Sequence, residues 1–146
     1  DENTVHMVLS NVNTSKIIWK KLILDEESDI EYTPYQDTIA NGTQSQLAGN
    51  DDIVLITYVN DGVVKVIFSD NDGNSWNNST IGFGYYPNVC EIMGKFYVTY
   101  IHDNNLYLVS SLDDGETWTS PEQINTVNGS VVNQSKSVDI HQGGIV

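Results

Sequence analysis

The sequence lacks arginine altogether, and its six basic residues are all lysines. Against them stand 20 acidic residues, so the formal net charge is −14. A field of this sign repels nucleic acids, anionic membrane surfaces and anionic glycans. Without arginine, the chain also lacks the planar fork that holds a carboxylate or phosphate with two hydrogen bonds. The composition therefore predicts no nucleic-acid partner and no membrane partner, and it argues against anionic substrates.

Cysteine and long apolar runs are scarce as well. Cys90 is the only cysteine, so no disulfide can form within the chain. No apolar run approaches the ~20 residues that span a bilayer. The three histidines, His6, His102 and His141, show no zinc spacing, and no nucleophile motif is present. We therefore predict neither a metal nor a cofactor.

What the sequence does contain favours β-structure. Asn, Thr, Ser, Tyr, Val and Ile are abundant, and these residues suit strands and turns better than helices. Apolar residues make up 39% and charged residues 18%, as in a folded domain. The 146 residues suffice for one packed unit. The composition therefore predicts an all-β chain.

An internal repeat organises this chain. An octapeptide occurs at residues 69–76 as SDNDGNSW and again, 42 residues later, at residues 111–118 as SLDDGETW. The same shift superimposes Ile53–Val59 on Lys95–Ile101 without a gap. Apolar runs separated by tight turns indicate antiparallel strands, and a fixed period indicates one supersecondary unit per repeat. Each unit is therefore predicted to be a small sheet of four short strands.

The copy at 111–118 fits the pattern S-x-D-x-G-x-T-W and resembles the Asp box of the BNR, or sialidase-type, repeat. The copy at 69–76 departs from the pattern at Asn71 and Ser75. The resemblance implies a β-propeller of four-stranded antiparallel blades, in which the box joins the third and fourth strands and is structural. Its predicted structural residues are Ser69, Asn71, Gly73, Trp76, Ser111, Asp113, Gly115, Thr117 and Trp118.

The repeat divides the chain, predicted as one domain over 1–146, into units whose strands we label a to d. Blades with a box are predicted over 45–86 and 87–130, an incomplete blade with strands b to d over 1–44, and strand a of a further blade over 131–146. The predicted strands of the complete blades are Ser45–Gly49, Ile53–Val59, Val63–Ser69, Asn78–Gly82, Pro87–Ile92, Lys95–His102, Leu106–Ser111 and Thr119–Ile124. Those of the end units are Val5–Ser10, Lys16–Leu24, Tyr32–Gln36 and Lys136–Ile140, with Asp25–Asp29 in the place of a box.

The chain thus contains the strands of about three blades, but they begin at strand b of one blade and end at strand a of another. Repeat sheets bury their faces only against neighbours, and three blades are too few to close a ring. We predict a homodimer with a six-bladed ring, in which each chain lends its last strand to the first sheet of the other. The alternative is that the chain is a piece of a longer propeller.

One end of the predicted blades collects the candidate functional residues. In an a-to-d meander the b–c and d–a loops share the face opposite the boxes, and the resemblance places the active site of sialidase-type propellers on that face. The candidates for ligand binding are Tyr85, Tyr86, Asn88, His102 and Asn105. Aromatic rings with amides suit a neutral sugar. The alternative is that the same residues merely form ordinary hairpin turns and that the tyrosines pack between blades.

Asp61 and Asp103 are weak catalytic candidates, because they are the only carboxylates on this face that are placed symmetrically in neighbouring blades. A glycosidase needs two carboxylates about 5–10 Å apart. The resemblance implies that a sialidase would use three arginines, a Tyr–Glu pair and an aspartic acid, and none of these carries over to this chain.

We therefore expect a noncatalytic module that binds glycan or protein or forms a structural part of a surface protein. The alternatives are a glycoside hydrolase acting on a neutral glycan and an inactive sialidase-like fragment. Sequons support a secreted or cell-surface location, starting at Asn13, Asn41, Asn77, Asn78, Asn128 and Asn133.

Overall fold

The computed structural model describes residues 3–24, 35–50, 53–134, 140–141 and 144–145. These residues form strands and turns, and none of them lies in a helix, so this part of the chain offers no helix able to span a bilayer. The strands are β1 (Asn3–Asn11), β2 (Lys16–Leu24), β3 (Tyr35–Asn41), β4 (Thr43–Gly49), β5 (Val54–Asn60), β6 (Val63–Ser69), β7 (Asn77–Phe83), β8 (Tyr85–Ile92), β9 (Lys95–His102), β10 (Asn105–Ser111), β11 (Glu122–Gln123), β12 (Ile140–His141) and β13 (Gly144–Ile145).

Strands that follow one another in sequence pair antiparallel within each sheet. The first sheet is β1-β2-β3, the second is β4-β5-β6-β7, the third is β8-β9-β10-β11, and β12 pairs with β13. The prediction of an all-β chain built from antiparallel sheets is confirmed. The second sheet agrees with the predicted strands to within two residues at each end.

Two predicted strands differ from the observed ones. The last strand of the first sheet was predicted at Tyr32–Gln36, but β3 runs from Tyr35 to Asn41 and so covers part of a predicted loop. This strand lies 42 residues before β7, so the repeat period locates it better than the loose match to Thr119–Gln123 did. In the third sheet, β11 is only Glu122–Gln123 and directly follows Pro121.

The core lies between the sheets. Every residue of β5 from Val54 to Val59 is buried, because alternate side chains pack against different neighbours. Val54, Ile56 and Tyr58 pack against the first sheet, whereas Leu55 and its neighbours pack with Phe96 of the third sheet. Burying an aliphatic or aromatic side chain of this size contributes about 1.5–3 kcal/mol. The second sheet is therefore held from both sides.

The innermost strands of the sheets lie next to one another. β4 contacts both β1 and β8, and β12 in turn contacts β8. The strand predicted at Lys136–Ile140 falls largely outside the described residues, and so does the acidic segment Asp25–Asp29. The described part of that region is the β12–β13 pair.

Candidate functional site

The octapeptide at 111–118 forms a closed turn between β10 and β11. The Ser111 hydroxyl accepts a hydrogen bond from the Gly115 amide at 2.9 Å and donates one to Asp113 Oδ1 at 2.7 Å. Asp113 Oδ1 also accepts the Thr117 amide at 2.9 Å, and its Oδ2 accepts the Thr117 hydroxyl. A serine and an aspartate thus satisfy the amides that the turn leaves unpaired.

The copy at 69–76 makes the same turn with an amide in place of the carboxylate. The Gly73 amide donates to Ser69 Oγ at 2.8 Å, and the Ser75 amide donates to Asn71 Oδ1 at 2.9 Å. The Asn71 side-chain NH₂ donates to Ser75 Oγ at 2.7 Å. Asn71 serves as well as an aspartate because the turn requires a side-chain oxygen, which both residues supply.

The stability of the two octapeptide turns should respond differently to low pH, because only the copy at 111–118 has a carboxylate at its third position. Hydrogen bonds from the Thr117 side chain and amide, and then from Ser111, hold the pKa of Asp113 below its usual 3.8. Because this pKa is depressed in the folded state, its stabilising effect is complete above the unfolded value and is lost as the pH falls through the folded one. Asp113→Asn should therefore flatten the decline of unfolding free energy below about pH 4. Urea titrations between pH 7 and 3 measure this slope, and an unchanged slope would contradict the assignment.

Both octapeptide turns pack onto the preceding sheet. A Cβ on Gly73 would lie 2.1 Å from Trp19, and the ring of Trp76 meets that of Trp19 edge-on at 5.3 Å. In the other copy, Trp118 Nε1 donates to Ser79 Oγ of β7 at 3.0 Å and to its own turn's Gly115 carbonyl at 3.1 Å. The turns therefore hold neighbouring sheets together.

Charged side chains lie beside the contact between the octapeptide turn at 69–76 and the first sheet. His6 Nδ1 accepts a hydrogen bond from Trp19 Nε1 at 3.2 Å, and His6 Nε2 lies 3.3 Å from Asp72 Oδ1. Lys21 pairs with Asp72 as well. Burial lowers the pKa of His6, with Asp72 opposing and Lys21 adding to that effect. The neutral imidazole, with its proton on Nε2, matches these two hydrogen bonds.

At the opposite end of the sheets, the glycine just before β4 and the glycine just before β8 each lie very close to a tyrosine side chain. A Cβ on Gly84 would lie 2.6 Å from the ring of Tyr100, so only glycine fits there. The pairing of β4 with β5 and the pairing of β8 with β9 each contain one register shift. The residues with positive φ at these two shifts are Gln44 and Tyr86. The Tyr86 amide donates to Gln44 Oε1 at 2.7 Å. This hydrogen bond joins the second and third sheets at the end where the candidates lie.

Tyr85 and the Asp61–Gly62 turn lie together at this end. Tyr85 is the first residue of β8 and pairs with Ile101 of β9. Its ring is tilted against the ring of Tyr86, with the ring centres 6.4 Å apart. A Cβ on Gly62 would lie 2.9 Å from the Tyr85 hydroxyl, which therefore lies over the Asp61–Gly62 turn of the second sheet. Tyr85 remains 43% exposed. The structure thus presents an aromatic ring at the junction of two sheets.

His102 and Asp103 lie at the same end of the third sheet. His102 Nε2 is 3.4 Å from Asp103 Oδ2, and its ring lies 6.3 Å from that of Tyr107. Tyr107 stacks on Tyr100 at 5.7 Å. Asp61 and Asp103 have φ of 50° and 48°, which is the conformation that favours Asp in tight hairpin turns. The Asp103 side chain is 83% exposed.

Asn105 and Asn88 take different positions from these residues. Asn105 is 5% exposed, and its Oδ1 accepts hydrogen bonds from the Gly129 amide at 2.7 Å and from Asn125 Nδ2 at 3.0 Å. Its Nδ2 donates to the Asp103 carbonyl at 3.0 Å. Asn88 is half-buried and lies opposite Thr99 in β9. Asn105 therefore shapes the loop 124–131.

The structure brings Tyr85, Tyr86, Asp61, His102 and Asp103 to one end of the second and third sheets. Sequence reasoning missed three residues that organise the surroundings: Gln44, Ser79 and Asn125. Gln44 had a detectable signal, since the 42-residue shift aligns it with Tyr86. Ser79 and Asn125 had none, because their partners lie 39 and 20 residues away.

No protein-family model matches this chain, and no curated protein matches its sequence. Solved structures do match its fold. A point mutant of NanB sialidase from Streptococcus pneumoniae aligns with a TM-score of 0.55 at 13% identity, over 84% of this chain and 21% of the sialidase chain. NanB with Optactamide aligns with a TM-score of 0.54 at 13% identity, over 77% and 19% of the two chains.

A third structure, NanB sialidase in complex with 2-[(3-chlorobenzyl)ammonio]ethanesulfonate, aligns with a TM-score of 0.54 at 14% identity, over 77% of this chain and 20% of the sialidase chain. This chain therefore spans about a fifth of the length of the sialidase structures that it matches. At these identities the similarity concerns the fold, and the chain has a sialidase-like fold.

Proposed function

We propose that this chain is a noncatalytic segment of a sialidase-like propeller that binds neutral glycan at the ends of its second and third sheets. The observation that carries the proposal is Tyr85, a residue that is 43% exposed while its hydroxyl lies over the Asp61–Gly62 turn. A fixed, exposed aromatic ring offers the flat apolar surface on which a sugar ring stacks. Nearby, His102 and Asp103 offer hydrogen-bonding groups.

Charge selects the class of glycan. The chain carries a formal charge of −14 and has no arginine, so an acidic sugar would meet repulsion without a bidentate clamp. A neutral sugar avoids this repulsion, and its hydroxyl groups can donate hydrogen bonds to Asp61 and Asp103. These aspartates therefore fit a neutral ligand better than an acidic one.

The surroundings of the carboxylates favour binding over hydrolysis. A glycosidase keeps its acid in an apolar environment, whereas Asp103 is 83% exposed and Asp61 is an exposed turn residue. Their positive φ already accounts for the choice of aspartate at both positions.

We further propose that the octapeptide turns are Asp boxes, because the Ser, Asp or Asn, and Gly of each pattern make the hydrogen bonds that close the turn. We also propose a secreted or cell-surface location. The exposed sequon asparagines Asn13, Asn41 and Asn128 support it, since glycosylation requires an accessible side chain.

Tyr85→Ala should weaken neutral-glycan binding by about tenfold or more, because it removes the stacking surface. A glycan array with the purified chain identifies the ligand, and calorimetry then compares the variants. Tyr85→Phe keeps the ring and should retain most of the affinity. Met93→Ala removes a side chain that is 94% exposed, on a different turn of the third sheet, and should bind like the wild type.

A polysaccharide hydrolysis screen separates the module from an enzyme. The proposal expects binding without turnover. Turnover that Asp103→Asn abolishes would overturn it, because asparagine suits the same turn conformation and would remove only the acid. An array without any neutral-glycan signal would overturn the choice of ligand.

A further inference from the structure

The imidazole of His6 joins the first sheet to the octapeptide turn at 69–76 in one protonation state. Trp19 Nε1 donates to His6 Nδ1 at 3.2 Å, and His6 Nε2 lies 3.3 Å from Asp72 Oδ1. An indole N–H can only donate and a carboxylate can only accept, so these partners require an acceptor on Nδ1 and a proton on Nε2. We call the group of Trp19, His6 and Asp72 the His6 contact.

A second proton on the ring would disrupt the His6 contact. It would place an N–H on His6 Nδ1, so that two donors would face each other where Trp19 now donates. The hydrogen bond from Trp19 would be lost whatever else its ring contacts, and Trp19 is fully buried. Losing a hydrogen bond is costly for a buried polar group. Protonation of His6 should therefore weaken the packing of the turn on the first sheet.

The charged groups around His6 do not offset this loss. Lys21 of β2 pairs with Asp72, so the carboxylate that would attract an imidazolium already has a cationic partner. Strands β4 and β5, which pack on the first sheet, carry no charged side chain. The other charged side chains of the neighbouring elements on this side are half-buried or exposed, namely Asp37, Lys65 and Asp70. Burial therefore lowers the pKa of His6 although Asp72 opposes it, and Lys21 adds to the effect.

We propose that the His6 contact is a pH-sensitive switch, intact while the imidazole is neutral and weakened when the ring gains a proton. The unfolded chain takes up this proton near the ordinary pKa of 6.5, whereas the folded chain takes it up at a lower pH. The unfolded state thus binds more protons between the two values. The stabilising effect is therefore complete above about pH 6.5 and is lost as the pH falls through the folded pKa.

The second octapeptide turn packs on its sheet through groups that do not titrate. A Cβ on Gly115 would lie 2.8 Å from Leu55 and 3.4 Å from Phe68. The Trp118 indole donates to the hydroxyl of Ser79 at 3.0 Å. Mild acid should therefore act on the first sheet and spare the contact between the second and third sheets.

Nuclear magnetic resonance of the isotope-labelled full chain, titrated from about pH 7.5 to about pH 5, tests the proposal. The ring signals of His6 should shift with a midpoint below 6.5, and the indole N–H signal of Trp19 should follow the same midpoint. The indole signal of Trp118 is the internal control and should not follow His6. Amide hydrogen-exchange protection, corrected for the intrinsic rate, should fall about tenfold in β1–β3 and by less than about twofold in β9 and β10.

Substitutions separate the His6 contact from other effects of acid. His6→Gln supplies an amide oxygen that can still accept from Trp19 but does not titrate, so the loss of protection in β1–β3 should disappear. His102→Gln is the matched control, because His102 lies beside Asp103 at the opposite end of the sheets, and the loss should remain. Asp72→Asn removes the carboxylate that opposes burial, so the midpoint of His6 should fall further.

The proposal is wrong if His6 titrates at or above pH 6.5, or if the indole signal of Trp19 does not follow it. It is also wrong if acid lowers protection equally in all sheets. A loss of protection in His6→Gln as large as in the wild type would contradict it as well.

Discussion

Replacing Gly73 by alanine is expected to lower the free energy of unfolding by about 2–4 kcal/mol. Gly73 has a φ of +84°, which costs a residue with a Cβ about 1 kcal/mol. The added Cβ would also lie 2.1 Å from Trp19, and overpacking of this kind costs about 1–3 kcal/mol more. Urea denaturation of the wild type and the variant measures the difference.

Gly94→Ala is the matched control for this prediction. Gly94 has a similar φ of +76°, but nothing lies within 4 Å of a Cβ built there. Its replacement should therefore cost only the conformational term, about 1 kcal/mol. In a Trp19→Leu background, the cost of Gly73→Ala should fall toward that of Gly94→Ala. Equal costs for both glycines in the wild-type background would contradict the contact between Gly73 and Trp19.

Trp19→Ala should be the most destabilising single substitution, at about 3–5 kcal/mol. Trp19 is fully buried between the first two sheets, where it meets Trp76, Gly73 and His6. Its loss leaves a cavity and removes the hydrogen bond from its indole nitrogen to His6. Amide hydrogen exchange should show protection falling first in β1–β3, while β9 and β10 keep theirs.

Phe83→Ala controls for the loss of an aromatic ring as such. Phe83 is 70% exposed at the end of β7, so its removal should change stability by less than about 0.5 kcal/mol. A cost below about 1 kcal/mol for Trp19→Ala would contradict its role in joining the sheets. So would a loss of protection spread evenly over all sheets.

The strands and octapeptide turns were largely predictable because their interactions are local. Ser111 bonds to Gly115 four residues away, and Asp113 bonds to Thr117 at the same distance. Strands β5 and β6 are joined by a two-residue turn and are composed mostly of apolar residues. The first sheet was harder to place, because the strand β3 carries no apolar run and its bounds depend on pairing with β2.

The candidate site was predictable only in outline. Connectivity placed Tyr85, His102 and Asp61 at the same end of neighbouring sheets, since meander loops alternate between two ends. It did not show that the Tyr85 hydroxyl lies over the Asp61–Gly62 turn. Nor did it show that Asn105 is buried within the loop it organises. Both facts depend on how side chains from distant segments meet.

The sequence by itself determined the all-β class, the repeat period and the chemistry of the two turns, because these follow from alternation, spacing and bonds within a few residues. The absence of arginine likewise determined that a carboxylate clamp of the sialidase kind has no residues here. Only the tertiary structure decided that the Gly73 turn packs on Trp19 and that the Tyr85 hydroxyl lies over the Asp61–Gly62 turn. Those contacts join residues far apart in the chain, and their energies depend on the stacking of whole sheets.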